Sequence, residues 1–190
     1  MNKFCDQYSE DDMHKEVSEI SSCDLDPLTQ IANRQKFDEM FTKAINKSRT
    51  TVCYLSMLMI DIDYLKTLDT NDGQSSGEDC QRQVARILKE TLKRSGDLAA
   101  QWDYGKFACL LSDTDPAGAF EMAEKIRKKV FDLAIPNPVS TVADVVTVSV
   151  GVVTAILTDE TSYDTLLKKA SQALSTAREM GRNRIEIYHN

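Results

Sequence analysis

Residues 99–111 read AAQWDYGKFACLL. Two apolar runs, Leu98 to Trp102 and Phe107 to Leu111, flank the tetrad Asp103-Tyr104-Gly105-Lys106. Short apolar runs around a glycine-bearing tetrad predict a β-hairpin. Upstream, TVCYLSMLMIDID (residues 51–63) is apolar and rich in strand-forming side chains, and reads as a central strand. A loop with Gly73 and Gly77 follows. A helix is then predicted from about Ser76 to Lys93, with Val84, Ile87, Leu88 and Leu92 inward and Ser95-Gly96 as its C-cap. Downstream, Asp115-Pro116 opens another helix, whose buried stripe reads Phe120, Ala123, Ile126, Val130 and Phe131. After the loop IPNPVS come a second strongly β segment, VVTVSVGVVTAI (residues 145–156), an amphipathic helix closed by Gly181, and a last strand, NRIEIYH. Strands alternate with helices around one hairpin. That order predicts an α/β sandwich: a central mixed sheet with helices on both faces.

The remainder of the chain fits one domain. Its 190 residues bury one sizeable core, and residues 1–24 read as a polar, acidic extension ahead of a domain at 25–190. Met13, Val17 and Ile20 recur at helical spacing, predicting a short helix from about Asp11 to Ser21. Beyond it, Asn33 is the predicted N-cap of a helix with Phe37, Met40, Phe41, Ala44 and Ile45 on one face. The net charge of −7 argues against a nucleic-acid surface. No apolar run approaches the ~18 residues of a membrane span, and the N-terminus lacks a secretion signal's apolar core. Five widely spaced cysteines without a Cys-x-x-Cys fit reduced thiols in a cytoplasmic protein. The two histidines, His14 and His189, sit near opposite ends, so a zinc site is not expected.

Asp61 and Asp63 close the central strand. Alternation sets them on one face with Ile62 on the other. Paired carboxylates at a strand's end can hold Mg²⁺ and orient phosphates, but strands also end in polar residues merely because they reach water.

These pieces, in this order, resemble the GGDEF family, the diguanylate cyclase domains of bacterial cyclic di-GMP signalling. DPLTQIANRQKF (residues 26–37) is similar to the family's opening Asp-x-Leu-Thr-Gly-Leu-x-Asn-Arg-Arg-x-Phe. DIDYLKTLDTNDGQSSGED (residues 61–79) is similar to its Asp-Ile-Asp-x-Phe-Lys segment and the Gly-His-x-x-Gly-Asp that follows. VTVSVGV and AREMGRNRI resemble its Ser-x-Gly strand and closing Ala-Lys-x-x-Gly-Arg-Asn. The resemblance spans about Asp24 to Tyr188. It implies a fold related to adenylyl cyclases and polymerase palms. It also implies two domains face to face, each holding a Mg²⁺-bound GTP attacked by the other's ribose 3′-hydroxyl.

The family signature Gly-Gly-Asp/Glu-Glu-Phe falls on the hairpin turn, where this chain reads Asp103-Tyr104-Gly105-Lys106-Phe107. Only the phenylalanine stands in place. The two family glycines let backbone approach the nucleotide; Asp103 and Tyr104 put side chains back. By the resemblance, the third position carries an acid implicated in catalysis, where Gly105 has no side chain. The fourth supplies a metal-binding carboxylate, where Lys106 has an ammonium that repels Mg²⁺. A lysine ~4 Å from Asp61 would gain roughly 1–4 kcal/mol. So Lys106 either pairs with Asp61 or Asp63 as a built-in cation, or points to solvent on a decayed turn. No catalytic residue is expected, and Asp61 and Asp63 are read as vestigial metal ligands.

Other departures run the same way. Asp69 replaces an asparagine that reads guanine, Glu78 (or Asp79) stands for an aspartate that does so, and Gln74 replaces a histidine. Lys66, Arg178 and Arg182 match phosphate-binding positions, Arg178 for a lysine, so residual GTP binding with Mg²⁺ stays open; no other cofactor is expected. Arg94-x-x-Asp97 has the spacing of the family's product-inhibition site, where an arginine holds a phosphate or guanine of cyclic di-GMP and an aspartate a guanine edge. Arg127 and Arg82 are the candidates for a second arginine. Alternatively, Arg94 caps a helix and Asp97 starts a strand. The leading expectation is a catalytically degenerate receptor for cyclic di-GMP, acting as a homodimer or on a partner signalling protein. The alternatives are a working diguanylate cyclase and a nucleotide-independent dimerisation scaffold.

Overall fold

The computed structural model describes residues 21–48, 54–72, 74–158 and 161–189. The helix expected from Asp11 to Ser21 falls almost wholly outside them. A single 3₁₀ turn (Ser22–Asp24) leads into helix α1 (Arg34–Ser48), strand β1 (Tyr54–Ile62), helices α2 (Leu65–Asp72) and α3 (Gln74–Thr91), and the hairpin β2 (Leu98–Asp103) and β3 (Lys106–Ser112). Helix α4 (Pro116–Asp132), strand β4 (Val148–Ile156), helix α5 (Tyr163–Glu179) and strand β5 (Ile185–Ile187) complete it. The five strands lie in the order β2-β3-β1-β4-β5. Among the strands described, only the β4–β5 pair is parallel. The expected mixed sheet is therefore present.

Strand alternation divides the core into two layers. Leu58, Ile60 and Ile62 of β1 pack with α2, α3 and α4 on one face. Met57 and Met59 pack on the other with α1 and α5, around Phe37 and Phe41. Helices thus cover both faces. Asn33 caps α1 as expected, its side chain accepting from Lys36 N at 2.9 Å. Asp115 caps α4 through Gly118 N at 2.8 Å, with Pro116 in the first turn. Asp26 holds the opening turn by accepting from Thr29 N (2.8 Å) and Thr29 Oγ1 (2.7 Å). That turn then covers the β2 edge, where Gln101 N donates to Ala32 O at 2.8 Å.

Three expectations need correction. The segment read as a loop is helical on both sides of Gly73, which itself lies outside the described residues: α2 covers Leu65–Asp72, and α3 starts at Gln74, ahead of the expected Ser76, with Gly77 buried in its first turns. Gly96 is no helix cap. α3 stops at Thr91, and Gly96, at φ +95°, belongs to a separate turn in which Asp97 N donates to Arg94 O at 3.1 Å. Phe120 and Phe131 lie outside the buried stripe of α4, at 43% and 42% exposure; Ala119, Ala123, Ile126 and Val130 form it. The 3.6-residue repeat sets the inward face one position away from both phenylalanines.

Candidate functional site

The register of the sheet assembles the first site. Asp61 is the cross-strand partner of both Lys106 on β3 and Ser149 on β4. It is buried at the end of the central strand, and burial favours its neutral form, pushing its carboxyl above the ordinary range. Arg178, Lys106 and Arg182 oppose that shift, while Asp63 adds to it. The direct ion pair on Asp61 comes from α5: Arg178 Nε lies 3.1 Å from Asp61 Oδ2. The built-in cation anticipated from Lys106 is therefore chiefly Arg178. Lys106 acts on Asp61 electrostatically from the facing strand, and among the described residues it forms no ion pair with either aspartate. Helix α5 projects Arg178 there because two residue types leave room: Ala170, Ala173 and Ala177 on the helix, and Gly151 beneath it.

Asp63 has a different task. Its Oδ2 accepts from Thr147 Oγ1 (2.7 Å) and Asn183 N (3.1 Å), and its Oδ1 from Ser149 Oγ (2.7 Å). A carboxylate with three donors is a structural anchor, tying β1 to β4 and to the loop before β5. That loop is sharply bent. Arg182 and Asn183 take left-handed φ values of +62° and +47°, and Tyr64, facing them, takes +58°. The Arg182 guanidinium stacks 4.6 Å over the Tyr64 ring, whose hydroxyl bonds Thr141 Oγ1 at 2.7 Å.

The signature turn is closed on its inner side. Gly105, at φ +70°, donates from its N to Gln81 Oε1 at 2.8 Å, and its carbonyl accepts from Ile62 N at 2.9 Å. Gln81 is fully buried. Asp103 is exposed, and its carboxylate accepts from Tyr104 N at 2.8 Å. Tyr104 is exposed as well, whereas Phe107 is fully buried in the core. Lys66 is exposed on the first turn of α2, and no contact ties it to the aspartates among the described residues. The side chains of Asp69 and Gln74 lie outside those described. Glu78 pairs with Arg82 at 3.2 Å, and Asp79 also bonds Arg82.

The second site lies between α3 and β2. Arg94 is exposed and Asp97 half-buried in one tight turn. Asp97 Oδ1 accepts from Ser112 N at 3.2 Å. Its Oδ2 has no protein partner among the described residues. Ser112 Oγ also donates to Gly96 O at 2.8 Å, so β3 braces the turn. Burial pushes the Asp97 carboxyl up to about 6, against the opposing pull of Ser112 N–H and Arg94. Neither proposed second arginine joins it. Arg82 is engaged on α3, and Arg127 is held by Glu124 (2.8 Å) and Asn183 Oδ1 (2.7 Å), at the loop before β5, the sheet edge opposite β2.

Sequence reading missed Gln81, Thr147, Ser149 and Tyr64. For Thr147 and Ser149 a signal existed: two hydroxyls two residues apart in an otherwise apolar strand face the same way. Nothing in the sequence pointed to Gln81 or to the backbone of Tyr64.

A family model described as the diguanylate cyclase GGDEF domain matches residues 23–184. Among curated proteins, the probable diguanylate cyclase DgcT of Escherichia coli K12 is 32% identical over 165 residues, covering 85% of this chain and 35% of DgcT. Diguanylate cyclase A of Treponema denticola is 33% identical, covering 77% of this chain and 38% of that protein. The chain therefore spans about a third of the length of these relatives. Among solved structures, the GGDEF domain of DgcB from Caulobacter crescentus, in complex with c-di-GMP, superposes with a TM-score of 0.80 at 24% identity, covering 90% of this chain and 98% of that one. At that identity the likeness speaks for the fold. Diguanylate cyclase SiaD of Pseudomonas aeruginosa, solved with its activator SiaC, matches at TM-score 0.80 and 28% identity, over 93% of this chain and 65% of SiaD. With the family model covering 23–184 and the strand-end aspartates, hairpin and closing helix in the expected places, the chain belongs to the GGDEF family of cyclic di-GMP signalling domains.

Proposed function

We propose that this domain has lost cyclase chemistry and serves as a receptor for cyclic di-GMP through Arg94 and Asp97. The observation that carries the reading is the braced turn itself. It holds an exposed guanidinium and a carboxylate with one open oxygen three residues apart. A guanidinium forks onto phosphate oxygens or guanine O6 and N7, and a carboxylate accepts from guanine N1–H and N2–H. The c-di-GMP complex of the DgcB domain lends support by relationship of fold. Since Arg82 and Arg127 are engaged elsewhere, a second cationic contact would come from another copy of the chain or from a partner protein.

Calorimetric titration of cyclic di-GMP tests this. Wild type binds, and Arg94→Ala weakens binding by about 10–100-fold, the worth of a hydrogen bond to a charged group. No heat from either protein overturns the receptor reading and leaves the scaffold.

The same titration has a defined pH dependence. The Asp97 carboxyl titrates near 6 in the free protein, and the guanine edge needs its ionised form. Its charged fraction falls from about nine-tenths at pH 7 to about one-tenth at pH 5, so affinity drops by about tenfold over that interval. Folding runs the other way. A carboxyl whose native pKa is raised takes up its proton before the unfolded chain does, so Asp97 lowers stability as pH rises from 4 through 6. A flat affinity between pH 5 and 7 removes Asp97 from the ligand.

The residues around Asp61 do not fit the divalent ion that the family's chemistry implies. Asp61 is paired with Arg178, Asp63 is committed to three hydrogen-bond donors, and the facing position carries Lys106. No group of three or more metal-ligating side chains occurs among the described residues. These features support loss of the cyclase reaction.

A further inference from the structure

We infer that the site around Asp61 binds phosphate-bearing ligands without a divalent cation, with Arg178, Lys106 and Arg182 standing in for the metal ion. Three cations act on Asp61, and one further carboxylate, Asp63, lies beside it. These five groups carry a net charge of +1 before any ligand arrives. A divalent cation entering here would face three like charges and would have to displace Arg178 from Asp61. A phosphate faces the opposite balance.

The cations also suit phosphate in detail. A guanidinium has five N–H donors, so Arg178, serving Asp61 through Nε, keeps others for a second anion. Its side chain is 44% exposed, leaving it accessible. Arg182 is held in advance by its stack on Tyr64 and by a left-handed backbone anchored through Asn183 N to Asp63. Non-glycine residues keep such backbone only where surrounding contacts enforce it. Tyr64 and Arg182 both do so on facing sides of the site. Lys106 is set by its strand register. Pre-positioned cations bind an anion with little reorganisation.

The recognised chemistry is a phosphate chain, which a nucleoside triphosphate and inorganic tripolyphosphate share. This inference is independent of the Arg94–Asp97 receptor, which uses a different turn. Its test is titration of the purified chain with GTP and, separately, with tripolyphosphate, in EDTA and in MgCl₂. The GTP affinity in EDTA is expected to stay within about fivefold of that in MgCl₂, and the double variant Arg178→Ala, Lys106→Ala to lose at least about tenfold in both buffers. Cyclic di-GMP binding is read in its own titration, so the two readings fail separately. Binding of tripolyphosphate as well as GTP puts recognition on the phosphates. Binding of GTP alone adds a nucleoside contact and still upholds metal independence. The inference is overturned if Mg²⁺ tightens GTP binding by more than about fivefold, if the folded double variant binds like wild type, or if neither ligand binds in EDTA to protein shown folded by circular dichroism.

Discussion

Given GTP with Mg²⁺ or Mn²⁺, the purified chain is expected to form cyclic di-GMP at least about 10⁴-fold more slowly than a relative with an intact signature, because Gly105 and Lys106 stand where the family resemblance places an acid and a metal-binding carboxylate, and losing one such charge-stabilising group commonly costs about 10²–10³ in rate. At the third signature position Gly105 has no side chain, and one cannot simply be put back. A Cβ there would lie 2.5 Å from Leu65 Cδ2, on a backbone at φ +70°. At the fourth position Lys106 faces Asp61 across the strands. Of the two strand-end carboxylates, Asp61 is ion-paired with Arg178 and Asp63 is committed to three hydrogen-bond donors. Product chromatography after long incubation checks this, with Asp61→Ala alongside. Both proteins should give the same trace at the level of the blank. Turnover in wild type that disappears in Asp61→Ala would show Asp61 still acting in catalysis and would overturn the non-catalytic reading.

The fold was legible because its signals are short-range and mutually consistent. The 54–62 run is apolar on both faces, the hairpin has a glycine where the chain turns left-handed, and caps at Asn33 and Asp115 mark helix starts. Errors came where one local signal competed with packing. The residues ahead of Gly73 and Gly77 read as loop in sequence, yet Leu65–Asp72 fold as α2, with Leu65 and Leu68 buried in the core. Phe120 and Phe131 are large and apolar, yet α4 buries the small face beside them. The site was legible as a set of residue types and not as pairings. That Asp61 and Asp63 share a face follows from alternation. That one is an ion-pair partner and the other a hydrogen-bond anchor depends on α5, β4 and the loop before β5, more than 80 residues away in sequence. Spacing within a segment carries no information about such contacts. Gln81 illustrates the point: a buried amide 24 residues upstream holds the turn's N–H.

Gly151→Ala is expected to cost about 3 kcal/mol of stability, the upper end of what overpacking a core commonly costs. The reason is what a methyl group would meet. It would collide with Ala170 O and Leu174 N, and would lie 2.8 Å from Leu174 Cα. All three are backbone atoms of α5, so no side chain can rotate aside and the helix itself must move. α5 covers the core face holding Met57, Met59 and Leu110, so retreat of the helix loosens that layer. For a domain of this size the loss lowers the melting temperature by about 6–12 °C, readable by calorimetry or circular dichroism. The same displacement reaches the site. Arg178 lies one helical turn beyond Leu174, and its 3.1 Å contact with Asp61 depends on how closely α5 lies on β4. Gly151→Ala should therefore also weaken tripolyphosphate binding in EDTA at temperatures where the variant is still folded, although residue 151 itself touches no ligand. Wild-type stability in this variant would mean that α5 does not rest on β4 at this glycine, and the placement of Arg178 on Asp61 would then have no structural support.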